Sequence, residues 1–144
     1  MNHVTEKKLN NKGFSLVELI IVIAIMAVLV GVLAPQYLKY VKTSKISADS
    51  SNAEAIATAV NVAIADGSIS VSGTATIDAA ALGTGGTYEN KIANLKAFPV
   101  SKVNSAYVWK VTMDATGVTK IELGTSTDLK EIYPDNTAYT TANS

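Results

Sequence analysis

One apolar block dominates the pattern of this chain. From Leu19 to Ala34, sixteen consecutive residues are apolar or glycine, and reaching back to Phe14 makes twenty-one with only Ser15 and Glu18 polar. As a helix, twenty-one residues span about 32 Å, the hydrocarbon thickness of a bilayer. Eleven of the sixteen are Leu, Ile or Val. On the membrane-insertion scale such a set contributes roughly −3 to −7 kcal/mol, against roughly +3 kcal/mol for one acid at mid-membrane. The block is therefore expected to enter a membrane with Glu18 in it. Gly31 and Pro35 stand near its end. Proline removes an i to i−4 hydrogen bond and glycine weakens a helix further, so a kink is expected over residues 31–36.

Past Pro35 the helical pattern resumes and becomes amphipathic. Leu38 and Val41 form a small apolar stripe, Ser44 to Asn52 is polar, and Ile56, Ala59, Val60, Ala63 and Ile64 mark one face. Asp66-Gly67 supplies a stop. The pattern predicts one nearly continuous helix of roughly 50 residues, ~75 Å long. Then Thr, Ser, Gly and Ala take over. Ile69–Val71 and Thr74–Ile77 read as short extended pieces, Asp78–Leu82 as one helical turn, and Glu89–Phe98 as a short helix with Ile92 and Leu95 inward. The strongest strand signal is Ala106–Met113, where Tyr107, Trp109, Val111 and Met113 alternate with Val108, Lys110 and Thr112. Asp114–Gly117 is a turn, and Val118–Leu123 returns with Ile121 and Leu123 on the same face. A third strand is expected within Leu129–Tyr133, and residues 134–144 read as an exposed loop or tail. Trp109, alone on an alternating strand, reads as core. The fold class is α+β: a long N-terminal helix, half membrane-like and half amphipathic, packed against a small antiparallel sheet.

Composition narrows the chemistry. The chain has no cysteine, so disulfides and thiolate metal sites are excluded. All twelve cations are lysines, balanced by twelve acids, which makes no electrostatic case for a nucleic-acid partner. The one histidine, His3, precedes the apolar block. Gly83-Thr-Gly-Gly86 lacks the Lys-Ser/Thr and the strand-to-helix setting of a phosphate loop. No zinc or calcium spacing and no Asn-x-Ser/Thr sequon occurs. The reading is a non-enzyme without a cofactor. Lys7, Lys8 and Lys12 precede the block and Lys39, Lys42 and Lys45 follow it, so flanking charge does not decide orientation. The latter three are expected to be solvated or paired, Lys45 with Asp49 four residues on.

Residues 1–13 look like the charged start of a targeting segment. A conventional cut after Ala34 is disfavoured because Pro35 follows. The junction Gly13-Phe14-Ser15-Leu16-Val17-Glu18, with lysines before it and an apolar helix after it, instead resembles the processing site of type IV prepilins. The resemblance covers about residues 7–40. It implies a leader over 1–13, a transmembrane and polymerisation helix over 14–35, and a head over 36–144 that includes the amphipathic half of the helix. It also implies cleavage between Gly13 and Phe14 by a prepilin peptidase, N-methylation of Phe14, and an assembly role for Phe14 and Glu18. The partners it implies are a helical homopolymer, the peptidase/N-methyltransferase, the cytoplasmic membrane before assembly, and an assembly platform with minor pilins. The amino terminus would be cytoplasmic and the assembled fibre extracellular. Adhesion, twitching motility, aggregation and biofilm formation are the functions such pilins serve. The absence of cysteine departs from many members, which staple a C-terminal loop with a disulfide, and fits Gram-positive pilins that hold the tail by packing and hydrogen bonds.

Two readings of Glu18 stand side by side. A free amino group on Phe14 lies one helical turn away, and in the family the partner is the terminus of a neighbouring subunit. Alternatively, Ser15-x-x-Glu18 is a capping box that satisfies a backbone N–H. Gly31 and Pro35 likewise admit a static kink or a segment that unwinds or stretches in the fibre. The rival functions are a pseudopilin of a type II secretion or DNA-uptake system, and a signal-anchored binding protein that never polymerises.

Overall fold

One helix carries the chain from the apolar block into the head. The computed structural model describes residues 13–144 except Asn94; the expected leader features at His3, Lys7, Lys8 and Lys12 lie outside the described residues. Helix α1 runs Leu16–Ala65, fifty residues with Pro35 inside it. The chain divides into two compact units, one ending at Leu38 and the other Lys39–Ser144.

In the first unit the apolar side chains are open. Leu19, Ile20, Ile21, Val22 and Ile23 are all at least half exposed, and nothing among the described residues buries any of this segment. Water does not tolerate such a surface on a monomer. Its length and composition suit a bilayer.

The second unit is a helix-on-sheet layer. Strands β1 (Ala75–Ile77), β2 (Val108–Asp114), β3 (Gly117–Thr125) and β4 (Asp128–Tyr133) form an antiparallel sheet in chain order. Trp109, Val111 and Met113 of β2, Ile121 and Leu123 of β3 and Ile132 of β4 face inward, against Ile46, Ala53, Ile56, Ala57, Val60 and Ala63 of α1. Trp109 is core, as expected. Its indole N–H donates to the Pro99 carbonyl at 2.7 Å, and its ring stacks on Phe98 with centroids 6.4 Å apart. The turn Asp114–Gly117 is held by the Asp114 carboxylate, which accepts from the Thr116 N–H at 2.7 Å and from its hydroxyl. Those two bonds hold the half-buried Asp114 carboxyl below its ordinary range.

The helix stops as its sequence dictates. Gly67 takes a φ of 79°, its N–H donates to the Ile64 carbonyl, and Asp66 accepts the Ser68 N–H at 2.8 Å. A second glycine is fixed by sterics. Gly124 lies opposite Leu129 in the β3–β4 register, and a Cβ there would collide with the Asp128 carbonyl. Gly124→Ala is expected to cost about 1–3 kcal/mol through overpacking. A thermal melt of the variant followed by circular dichroism checks it, and an unchanged midpoint would contradict the placement of the β3–β4 turn.

The sequence-based reading needs correction at four places. Ile69–Val71 is a bend followed by irregular chain rather than strand, although Ile69 is buried. At its described positions Glu89–Phe98 is turns and bends with no helix, yet Ile92 and Leu95 do point inward. The four-residue helix α2 (Ala79–Leu82) does form, capped by Asp78, which accepts the Ala81 N–H at 2.9 Å. The largest difference is at the C-terminus. Residues 134–144 are not a loose tail, because helix α3 (Thr137–Asn143) forms there and buries Tyr139 completely. Finally, Lys45 and Asp49 do not pair. Asp49 is fully buried, and Lys45 is exposed.

Candidate processing and assembly site

Gly13, Phe14 and Ser15 precede the first helical residue. Gly13 has open space around it, and Phe14 is 91% exposed. The Gly13–Phe14 peptide bond is therefore open to approach. Ser15 starts the helix: its carbonyl accepts the Leu19 N–H at 3.2 Å. The Glu18 carboxylate accepts the Ser15 N–H at 2.7 Å, and the Ser15 hydroxyl accepts the Glu18 N–H at 3.1 Å. This reciprocal pair is a capping box, and it satisfies two donors that a helix start otherwise leaves orphaned.

The capping reading of Glu18 is thus realised in the single chain with Gly13 still attached. In that state the Phe14 nitrogen is an amide with no charge to offer. Were the chain cut after Gly13, that nitrogen would become an ammonium beside the helix start, and the same carboxylate would have a cationic partner available in place of a backbone N–H. Such a pair is charge-assisted and stronger than the cap.

Gly31 and Pro35 both lie inside α1. Pro35 has no N–H, so the Gly31 carbonyl lacks its usual i+4 donor. No side chain or distant backbone lies within 4 Å of where a Gly31 Cβ would stand.

A second polar constellation lies in the head. The Asp49 carboxylate accepts from the Ser101 hydroxyl at 2.6 Å, the Tyr139 hydroxyl at 2.8 Å, the Lys102 N–H at 2.7 Å and the Val103 N–H at 3.3 Å. It joins α1, the loop before β2 and α3 in one cluster with no cation. Tyr139 is fully buried, and burial first, then its bond to Asp49, raises its phenol well above the ordinary value. Tyr107 donates to Asn143 at 3.0 Å and packs edge-on to Tyr139. The signal for this site is in the sequence. Ile46, Asp49, Ala53, Ile56, Val60 and Ala63 recur at alternating three- and four-residue steps, so an acid occupies a core position of the stripe.

Among the described residues no group of three or more His, Cys, Asp or Glu could hold a metal ion. Neither constellation has the nucleophile–base geometry of a catalyst.

Comparison with known proteins agrees with this geometry. The Prokaryotic N-terminal methylation motif matches residues 8–34. Type IV major fimbrial protein FimA of Dichelobacter nodosus is 39% identical over 56 residues, 39% of this chain and 36% of that protein. Prepilin peptidase-dependent protein A of Clostridium perfringens (strain 13 / Type A) is 45% identical over 69 residues, 46% of this chain and 49% of that protein. Fimbrial protein EcpC of Eikenella corrodens is 35% identical over 119 residues, 83% of this chain and 73% of that protein. The chain thus spans about a third of the fimbrial relatives from Dichelobacter and half of the one from Clostridium. No solved structure matches it. With the methylation motif laid over the Gly13–Phe14 junction and the apolar helix, and with a fimbrial relative aligned across most of both chains, the protein belongs to the type IV pilin family.

Proposed function

We propose that the chain is a prepilin whose mature form, beginning at Phe14, is the structural subunit of a type IV pilus. Residues 1–13 are the leader, 14–35 the segment that resides in the cytoplasmic membrane and then packs at the fibre centre, and 36–144 the head. Prepilin peptidase cuts after Gly13 and methylates Phe14. The homopolymer then grows on an assembly platform with minor pilins, and it serves adhesion, motility or aggregation at the cell surface. The observation that carries this reading is an apolar helix that no described residue covers, beginning at an exposed junction with one acid four residues on.

The reading makes the protein a substrate and a building block rather than a catalyst. Removing the leader takes away the only histidine and three lysines, leaving nine lysines and eleven acids, a side-chain charge of −2. Gly31 and Pro35 would give the polymerisation helix its weak point, where it bends or lengthens as subunits pack.

Intact-mass analysis of the membrane-associated and the sheared surface fractions tests the proposal. The expected species starts at Phe14 with one added methyl group, and it dominates long filaments released by shear. A chain that keeps Met1 in both fractions would exclude the pilin route. A processed chain that is scarce in sheared filaments would point to a pseudopilin instead.

A further inference from the structure

Three lysines just past the apolar block pair with no acid among the described residues. Lys39, Lys42 and Lys45 are all exposed, three residues apart on α1, a spacing at which like charges repel. No acid occurs between Glu18 and Asp49. Asp49, the one carboxylate within a helical turn of Lys45, is turned into the head and occupied by four donors. The ion pairs among the described residues are Lys120–Glu122 and Lys130–Asp128. Tyr40, between the first two of these lysines, is 73% exposed.

We propose that Lys39, Lys42 and Lys45 form a docking collar for anionic phospholipid headgroups where the helix leaves the bilayer. The proposal rests on reading residues 14–35 as membrane-resident. Counted from Ala34, the three Cα atoms lie ~8, ~12 and ~17 Å along a helix. The headgroup layer is ~5–8 Å deep on each side and the Debye length ~8 Å, so flexible lysine stems bring all three ammonium groups into its field. Tyr40 fits the same layer, where an amphipathic ring is favoured. Lipid phosphates relieve the mutual repulsion that the other described residues leave unrelieved. Nucleic acid is the weaker match, because the mature side chains sum to −2 and the collar adjoins a segment that is itself in lipid. A subunit held this way must shed its anionic lipids to leave the bilayer, so lipid charge would set the ease of extraction.

Photo-crosslinking of the full chain in phosphatidylcholine vesicles tests the collar. The vesicles carry a minor fraction of either photoreactive phosphatidylglycerol or photoreactive phosphatidylcholine. Labelling within residues 36–46 is expected to favour the anionic lipid, by roughly fivefold for each lysine engaged at low salt. The preference should fall with added salt and vanish in the Lys39→Gln/Lys42→Gln/Lys45→Gln variant. Equal labelling by the two lipids, or a preference that survives in the triple variant, would overturn the proposal. So would capture of double-stranded DNA by the chain in vesicles of phosphatidylcholine alone, lost in the triple variant, without lipid preference. Leader cleavage and filament yield are scored separately in cells, so a chain that prefers anionic lipid but forms no fibres overturns the pilus reading alone.

Discussion

Asp49→Ala is expected to destabilise the head by roughly 3–5 kcal/mol. The substitution strands the Ser101 and Tyr139 hydroxyls and the N–H groups of Lys102 and Val103. Each buried donor left unpaired costs about 1–3 kcal/mol, partly recovered by relaxation. A domain of this size is stable by only about 5–15 kcal/mol, and the loss corresponds to a Tm lower by roughly 15–30 °C. Tyr139→Phe removes one of four donors and should cost about 1.5–3 kcal/mol. That variant also separates the network from simple packing through pH. In the folded head the phenol titrates above its ordinary value of 10.0, whereas in the unfolded chain it ionises near that value. Its contribution is complete below that value and is lost as pH rises through and beyond it. Tyr139→Phe should remove this alkaline component. Melts of wild type and both variants across neutral to alkaline pH measure all three effects. An Asp49→Ala head that melts within a few degrees of wild type would show that the cluster does not hold the C-terminus.

Glu18→Ala is expected to leave processing after Gly13 intact and to reduce filaments by at least tenfold. An ammonium and a carboxylate ~4 Å apart attract by ~4 kcal/mol at an effective dielectric of 20, and tenfold requires only about 1.4 kcal/mol per contact. The capping box makes a rival prediction. If the carboxylate serves only to close the helix start, Ser15→Ala and Glu18→Ala each break one half of the same cap, the first the bond from the Glu18 N–H to the Ser15 hydroxyl and the second the bond from the Ser15 N–H to the Glu18 carboxylate, and both variants should lose a similar 0.5–2 kcal/mol or so of local helix stability. Ser15→Ala with normal filaments and Glu18→Ala without them separates assembly from capping. Equal yields in the two variants would remove the assembly role. Membrane residence cannot explain a loss, because replacing an acid by alanine makes insertion easier.

What was legible in the sequence follows the strength of each periodic signal. Helix α1 was plain because sixteen apolar residues and then an alanine-rich stripe agree with one period, and Asp66-Gly67 marks its end. Strands β2 and β3 were plain because Trp109, Val111, Met113, Ile121 and Leu123 alternate across a turn. Residues 69–98 were read less well. Their apolar positions (Ile69, Leu82, Ile92 and Leu95) anchor turns one at a time, and single anchors have no period. The tail reads as loose because seven of the eleven residues of PDNTAYTTANS are polar and the other four are Pro134, two alanines and Tyr139. Its fold comes from one buried tyrosine, and that tyrosine is intelligible only once Asp49 is known to face inward. Within the polar stretch Ser44–Asn52, Asp49 reads as a mate for Lys45. Helical spacing from Ile46 to Ala53 places it on the buried side, and there tertiary donors outcompete a solvated lysine. The junction at Gly13–Phe14 was legible as a motif. Its occupancy by a capping pair required coordinates.

The seating of Trp109 gives this protein an internal reporter. It is the one tryptophan in the chain, 3% exposed, hydrogen-bonded through its indole and stacked on a second ring, and it belongs to the head. Its emission wavelength therefore records whether that unit is intact while remaining silent about the apolar segment. Fluorescence on sheared fibres, detergent-held monomers and vesicle-bound chains can compare head integrity in each setting with no label attached.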